Sequence, residues 1–144
     1  VYFGASRNTF LGNGTPHETG VRTFAPAAER APNTLYLEGA WNIEEEFAEA
    51  RGPGAKIRFR YRAKDVYVVA GAGNRGDVEI FLDGMPPAAS VLGSDVSPAG
   101  EGAAKASIQE ERLYRLIEGE AYGEHTIEIV IKKSGIRFFT FTFG

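Results

Sequence analysis

The clearest pattern in the chain is an alternation over residues 55–70. Ile57, Phe59 and Tyr61 alternate with Lys56, Arg58, Arg60 and Arg62. A period of two puts the apolar side chains on one face of a strand and a row of cations on the other. The pattern then changes. Val66, Tyr67, Val68 and Val69 form an unbroken apolar run, the composition of a strand covered on both faces. Lys64 and Asp65 lie between the two pieces and read as a short turn or bend. A half-exposed strand joined to a buried one belongs in the middle of a sandwich.

The same reading extends in both directions. Residues 34–41 predict a strand with Leu35, Leu37 and Trp41 on one parity, Gly39 between them, and Tyr36, Glu38 and Ala40 on the other. Residues 42–50 hold Glu44, Glu45, Glu46 and Glu49, which favour a helix by propensity. Ile43, Glu45 and Phe47 against Glu44, Glu46 and Ala48 also fit an edge strand, and the following Arg51-Gly52-Pro53-Gly54 turn favours the strand. Residues 71–76 form a glycine loop, but no helix follows to supply the dipole of a phosphate cradle. Residues 78–82 predict a strand closed by Asp83-Gly84, a strong turn signal. Pro86 and Pro87 make the next piece an edge or a loop, and residues 88–103 read as a long surface loop.

Residues 105–109 and 112–118 flank Glu110-Glu111 like a hairpin. Residues 124–132 carry Ile127, Ile129 and Ile131 on one face, and Ser134-Gly135 turns the chain. Residues 136–143 return with Phe139, Phe141 and Phe143 on one parity, predicted to be core. Residues 1–33 are an irregular arm, with Tyr2, Phe3, Phe10, Leu11, Val21 and Phe24 spaced like anchors over a core. About eight or nine short strands make this an all-β chain, a single antiparallel β-sandwich of jelly-roll type.

Composition narrows the function classes. With 144 residues the chain can bury one proper core. A net charge of -3 with both signs interspersed argues against a nucleic-acid binder. No apolar run reaches the ~20 residues that span a bilayer, so no membrane insertion by this chain is expected. The absence of cysteine excludes a thiol nucleophile, a thiolate metal site and a disulfide framework. Val1-Tyr2-Phe3 reads as a cut inside a longer protein.

Candidate chemistry rests on few residues. His17 and His125 are the only histidines, and no spacing brings either to a nucleophile, so no catalytic residues are assigned. Glu44, Glu45, Glu46 and Glu49 with Asp83 or Asp95 offer oxygens for a hard cation. There is no D-x-D-x-D ladder, so these acids read instead as a face paired with the basic row, and neither a metal nor a cofactor is expected. Aromatic rings are the residues a sugar-binding surface uses, because a pyranose packs its C–H face on a ring while polar side chains take its hydroxyls. Trp41 is one such platform, although a lone tryptophan at apolar parity is usually core. Tyr36 and Tyr67, at polar parity, are others. Arg112 and Tyr114 share a strand face, one offering a planar donor fork and the other a stacking ring, or else a local ion pair and core filling. Asp83 is a further polar partner.

Several segments together resemble a known family: Tyr2-Phe3-Gly4, Leu37-Glu38-Gly39-Ala40-Trp41, Arg60-Tyr61-Arg62-Ala63-Lys64-Asp65-Val66, Phe81-Leu82-Asp83-Gly84, Arg112-Leu113-Tyr114-Arg115-Leu116 and Phe139-Thr140-Phe141-Thr142-Phe143-Gly144. They are similar to the C-terminal module of DipZ-like thiol–disulfide interchange proteins, also described as redoxin or cytochrome c biogenesis proteins. The resemblance covers nearly the whole chain in order. It implies a galactose-binding-like or carbohydrate-binding-module-like sandwich that follows a thioredoxin-like domain. It also implies an extracytoplasmic setting, periplasmic or in the cell envelope. The redox Cys-x-x-Cys would lie outside this chain. Two roles follow as expectations: a non-catalytic accessory module binding carbohydrate or cell-envelope glycan, or a docking platform for the adjacent thioredoxin-like domain or its protein substrates. Residues 88–103 depart from the family habit in a loop, where ligand contacts would sit.

Overall fold

The structure is a computed structural model and describes residues 1–28, 30–100 and 102–144. Nine strands follow in order: β1 (Gly20–Phe24), β2 (Leu35–Ile43), β3 (Ala48–Ala50), β4 (Lys56–Ala72), β5 (Gly76–Leu82), β6 (Val96–Pro98), β7 (Ala104–Ile108), β8 (Arg112–Ile131) and β9 (Ile136–Phe143). Their pairings are all antiparallel. The chain is an antiparallel β-sandwich of jelly-roll type.

The long strands β4 and β8 run through both layers. Residues 56–63 of β4 pair with the start of β2 and with residues 123–130 of β8, and β5, β7 and β6 extend that layer. Residues 65–72 of β4 pair with residues 112–118 of β8 and with β9, and β3 joins β9 to the end of β2 and so to β1. Apolar side chains from both layers meet between them. The Phe59 ring lies 5.7 Å from that of Phe141 and 5.1 Å from that of Phe143. Ile57, Ile127, Ile129, Ile131, Leu35, Leu37 and Trp41 are all buried, as their parity predicts.

Lys64 and Asp65 mark the crossing from one layer to the other, and the mechanism is a bulge rather than a turn. Ala63 opposes Gly123 and Asp65 opposes Glu118, so Lys64 alone faces residues 119–122. A bulge lets a strand bend without ending. Beyond it, the run Val66–Val69 is covered on one face only. Val66 and Val68 are buried, while Tyr67 and Val69 stay half-exposed.

Other expectations are corrected. In β9 the core positions are Ile136, Phe138 and Phe141 rather than Phe139. Val69 opposes Thr140 but Ala70 opposes Phe138, so Phe139 is the extra residue of a second bulge and the parity flips there. Phe143 is half-buried against the core, and Phe139 instead packs its ring 5.3 Å from that of Phe47, half-exposed. Residues 42–50 are not one strand: β2 ends at Ile43, the Glu44 amide bonds to the Phe47 carbonyl, and β3 returns beside β2. Residues 105–109 and 112–118 form no hairpin, because β7 pairs with β5 and β6 while β8 pairs with β4 and β5.

The 88–103 stretch is partly pinned. It contains a 3-10 turn (Ala89–Val91) and β6, and the Gly93 amide bonds to the Leu116 carbonyl at the β8 edge. A Cβ on Gly93 would stand 2.1 Å from the Arg115 carbonyl oxygen, so only glycine allows that approach. In the arm, Phe3, Leu11 and Phe24 are buried but Tyr2, Phe10 and Val21 face solvent, and residues 20–24 form β1. The basic row pairs with Glu38, Glu124 and Glu128, not with Glu44–Glu46.

Candidate functional site

The bulge that bends β4 and β8 also makes a concave place. Opposite the single residue Lys64, residues 119–122 of β8 leave the ladder. Gly119 makes this local path possible, since a Cβ there would stand 2.5 Å from the Lys64 carbonyl oxygen. Between the displaced segment and its neighbours lies a recess of about 240 Å³ lined by Tyr61, Lys64, Leu82, Val91, Ile117, residues 119–123 and His125. Leu82, Val91, Ile117 and Ala121 give it a mainly apolar interior. Lys64, Glu120 and His125 bring polar groups to the same lining.

Two tyrosines stand out here. Tyr122 is 66% exposed, the second most exposed of the large hydrophobic side chains. The Arg62 guanidinium carbon lies 5.8 Å from its ring centroid, within range of a cation–π attraction. Tyr61 is the converse case. Its ring is buried and stacks 5.4 Å from that of Phe143. Its hydroxyl is closed off from bulk water and is, among the described residues, the buried side-chain polar atom without a hydrogen-bond partner. An unmet buried donor costs about 1–3 kcal/mol. Burial, with Asp83 and Asp65 adding to it, pushes the Tyr61 phenol well above its ordinary value, so this hydroxyl stays neutral.

His125 is fixed beside the recess. It faces Tyr61 across the ladder, and its Nδ1 lies 2.6 Å from Asp83 Oδ2. Asp83 adopts φ +53° and Gly84 φ +81° in the tight turn after β5, the backbone of the hairpin turn that Asp-Gly announces. The turn aims the second carboxylate oxygen at the Thr126 amide, which donates to it at 2.9 Å. Asp83 therefore orients His125 and leaves the imidazole Nε2 free of that contact.

Of the residues singled out in the sequence, Asp83 alone belongs to this recess, through His125. Trp41 is fully buried, with its indole N–H donated to the Glu38 carbonyl at 2.9 Å and its ring edge-on to Phe138. Tyr114 is buried too, donating to the Glu110 carbonyl at 2.6 Å. Neither ring can serve as a platform, because both lie in the core, as the apolar parity of Trp41 favours. Arg112 is occupied: it lies 3.9 Å over the Tyr114 ring and donates to Asp95 at 2.9 Å. It clasps the 88–103 stretch to β8 instead of facing a ligand. Tyr36 is half-buried beside the arm and accepts from the Ala31 amide. Tyr67 is half-buried, donates to Asp65 at 3.0 Å and lies under Arg115.

Sequence reasoning missed Tyr122 and Tyr61 as site residues. Tyr61 read as core by parity, which it is, with its hydroxyl buried as well. Tyr122 carries a signal that was available: Gly119 and Gly123 bracket it inside an otherwise alternating strand, and isolated glycines in a strand mark bulges.

Residues 1–144 match, over the full chain, the family described as the thioredoxin like C-terminal domain. The chain belongs to that family. Curated relatives of this domain are Protein DipZ of Mycobacterium bovis and Protein DipZ of Mycobacterium tuberculosis, each 27% identical over 144 residues, all of this chain. The domain spans only 18% of the length of those relatives. Among solved structures, the fold is shared with an active site mutant of a family two carbohydrate esterase from Clostridium thermocellum, at a TM-score of 0.61 and 14% identity over 78% of this chain and 31% of that one. It is shared also with a family two carbohydrate esterase from Cellvibrio japonicus, at 0.60 and 14% over 88% and 34%. A further Clostridium thermocellum structure of the family two esterase, bound to cellohexaose, aligns at 0.53 and 15% over 69% of this chain and 27% of that one. Among the described residues, no helix is long and apolar enough to cross a membrane.

Proposed function

We propose that this domain is a non-catalytic accessory module of an extracytoplasmic thiol–disulfide interchange protein and that it binds carbohydrate at the recess beside Tyr122. The observation that carries the reading is the pairing of an exposed aromatic ring with a concave, mainly apolar surface. A sugar ring offers an apolar face for Tyr122 and hydroxyls for Lys64, Glu120 and His125. The recess lining includes no serine, threonine or cysteine, so the Asp83–His125 pair has no nucleophile there to activate and acts as a hydrogen-bonding group. The resemblance to DipZ supports the setting, and the sugar-bound fold relative is consistent with the ligand class.

Sugar contacts are wet, because hydroxyls exchange water for protein with little net gain. Affinity for one short chain is therefore expected at about 0.1–1 mM, or about 4–5.5 kcal/mol. Such weak binding becomes useful when a second domain tethers the module near its target. The test is a glycan array followed by titration of the strongest hit against wild type and Tyr122→Ala. The variant should lose binding with its unfolding midpoint unchanged, since the ring is exposed. Undiminished binding by the variant would move the site elsewhere. A blank array would favour the docking platform for a neighbouring domain.

A further inference from the structure

We propose that the outer face of the second layer is a docking surface, and that its occupant is the part of the polypeptide that precedes this domain in the longer relatives. This inference uses neither the recess nor its ligand. The first ground is a change of character along one strand. Before the bulge, the outward positions of β4 are Lys56, Arg58 and Arg60, which pair with Glu38, Glu128 and Glu124 on neighbouring strands. Beyond the bulge they are Tyr67 and Val69, both half-exposed. These belong to the apolar run whose composition is that of a strand covered on both faces. Among the described residues, only one of those faces is covered.

The second ground is what lies beside them. Leu113 opposes Val69, Val69 opposes Thr140, and Thr140 opposes Tyr2. Neighbouring strands lie about 4.8 Å apart, so this row runs roughly 14 Å across the sheet. Its two ends stand out of the surface, Leu113 at 39% and Tyr2 at 43% exposure. Half-exposed Phe139 joins Tyr2 and Thr140 around a hollow of about 180 Å³. Arginines edge the row. Arg7 lies 4.6 Å over the Tyr2 ring and Arg115 5.4 Å over that of Tyr67. Aromatic rings and arginine are the groups in which the centres of protein interfaces are enriched. The matching surface is therefore an apolar patch with carboxylates set to meet Arg7 and Arg115.

The third ground selects the occupant. The family is that of a C-terminal domain, and the domain spans 18% of the length of its DipZ relatives. In those proteins most of the chain is therefore joined ahead of this domain. The point of entry lies on the uncovered face. The Val1 amino group donates to the Phe141 carbonyl at 3.0 Å, and the Phe141 amide donates to the Val1 carbonyl at 2.8 Å. These bonds hold Val1 and Tyr2 along β9, at the end of the row. A polypeptide that arrives at this point is tethered beside the patch. Tethering gives it an effective concentration that a free partner or a second copy of this chain does not have.

The experiment is hydroxyl-radical footprinting, read by mass spectrometry, of residues 1–144 alone and of the full-length polypeptide that carries them. Tyr122, exposed and outside the row, is the reference. Relative to Tyr122, modification of Tyr2, Tyr67 and Leu113 should fall severalfold in the longer protein. Leu113→Asp sets a charge against the apolar patch, and in the longer protein it should return Tyr2 and Tyr67 to the level of the isolated domain. In the isolated domain the same variant should unfold close to the wild-type midpoint, because Leu113 is exposed, so the release cannot be ascribed to misfolding. Equal modification of the three side chains in both proteins would overturn the inference. Protection that survives Leu113→Asp would also overturn it, by placing the contact elsewhere. Protection that appears in the isolated domain and grows with its concentration would give the face to a second copy instead.

Discussion

At the scale of single residues, the outcome at β9 shows how a one-position slip decides burial. Phe138 and Phe139 are neighbours of identical chemistry, yet Phe138 packs in the core against Trp41 and Phe3 while Phe139 lies outside beside Phe47. Truncating a core phenylalanine costs about 3–5 kcal/mol, and surface changes stay mostly within about 0.5 kcal/mol. Phe138→Ala should therefore cost several kcal/mol in urea unfolding, and half-exposed Phe139→Ala should fall clearly below it. Comparable losses would place the bulge elsewhere. The alternation of Phe139, Phe141 and Phe143 was legible, but the break in it was not, because only pairing with β4 shows that Phe139 is an extra residue and that Phe138 takes the core side. Trp41 was legible in the same limited way: parity gave its burial correctly, and the platform reading required the opposite.

At the scale of elements, β4 and β8 are each one strand where the sequence reads as two or three pieces. Apolar alternation located both halves of β4 and the Ile-rich half of β8. It could not show that the break at Lys64 is answered by a four-residue excursion on β8, because a bulge is a property of a pair of strands. Gly119 and Gly123 were the local trace of that excursion. Gly119→Ala tests it. The added methyl meets backbone at 2.5 Å, and overpacking of this kind costs about 1–3 kcal/mol. The variant should lower the unfolding midpoint and also weaken sugar binding, since the Tyr122 segment must shift to admit it. Full affinity in a destabilised variant would separate the bulge from the site. The 88–103 stretch was read as one long surface loop, but Ala89–Val91 form a 3-10 turn and Val96–Pro98 form β6. Its attachment through Asp95 was hidden, because a carboxylate and two arginines 17 and 20 residues away carry no local pattern.

At the scale of the whole molecule, both surface carboxylates with lowered values act as acid-sensitive clasps. Burial alone would raise the Asp95 value, but the hydrogen bond from Arg112 and the Arg115 amide outweigh it. The Ser107 hydroxyl is the main cause for Asp77, with Lys105 and Arg75 helping. A carboxyl depressed on folding stabilises the native state above its unfolded value, 3.8 here, and loses that contribution as pH falls through the lower folded value. The unfolding midpoint should therefore fall as pH drops below about 4. Asp95→Asn should unfold at a lower midpoint near neutrality and show a shallower acid loss. An identical acid limb in the variant would remove Asp95 from the account.

Because β4 and β8 each serve both layers, neither layer can come apart while the other stays intact. Amides throughout the two strands should consequently share one rate of hydrogen exchange in their slow limit, the signature of a single cooperative unit. Their partners are also far apart along the chain, Lys56 with Val130 and Val66 with Phe143. Closing such long loops before any contact rewards them slows folding into the range of milliseconds to seconds typical of non-local β topologies. The arrangement that makes the recess thus also makes the module slow to assemble and all-or-none in coming apart.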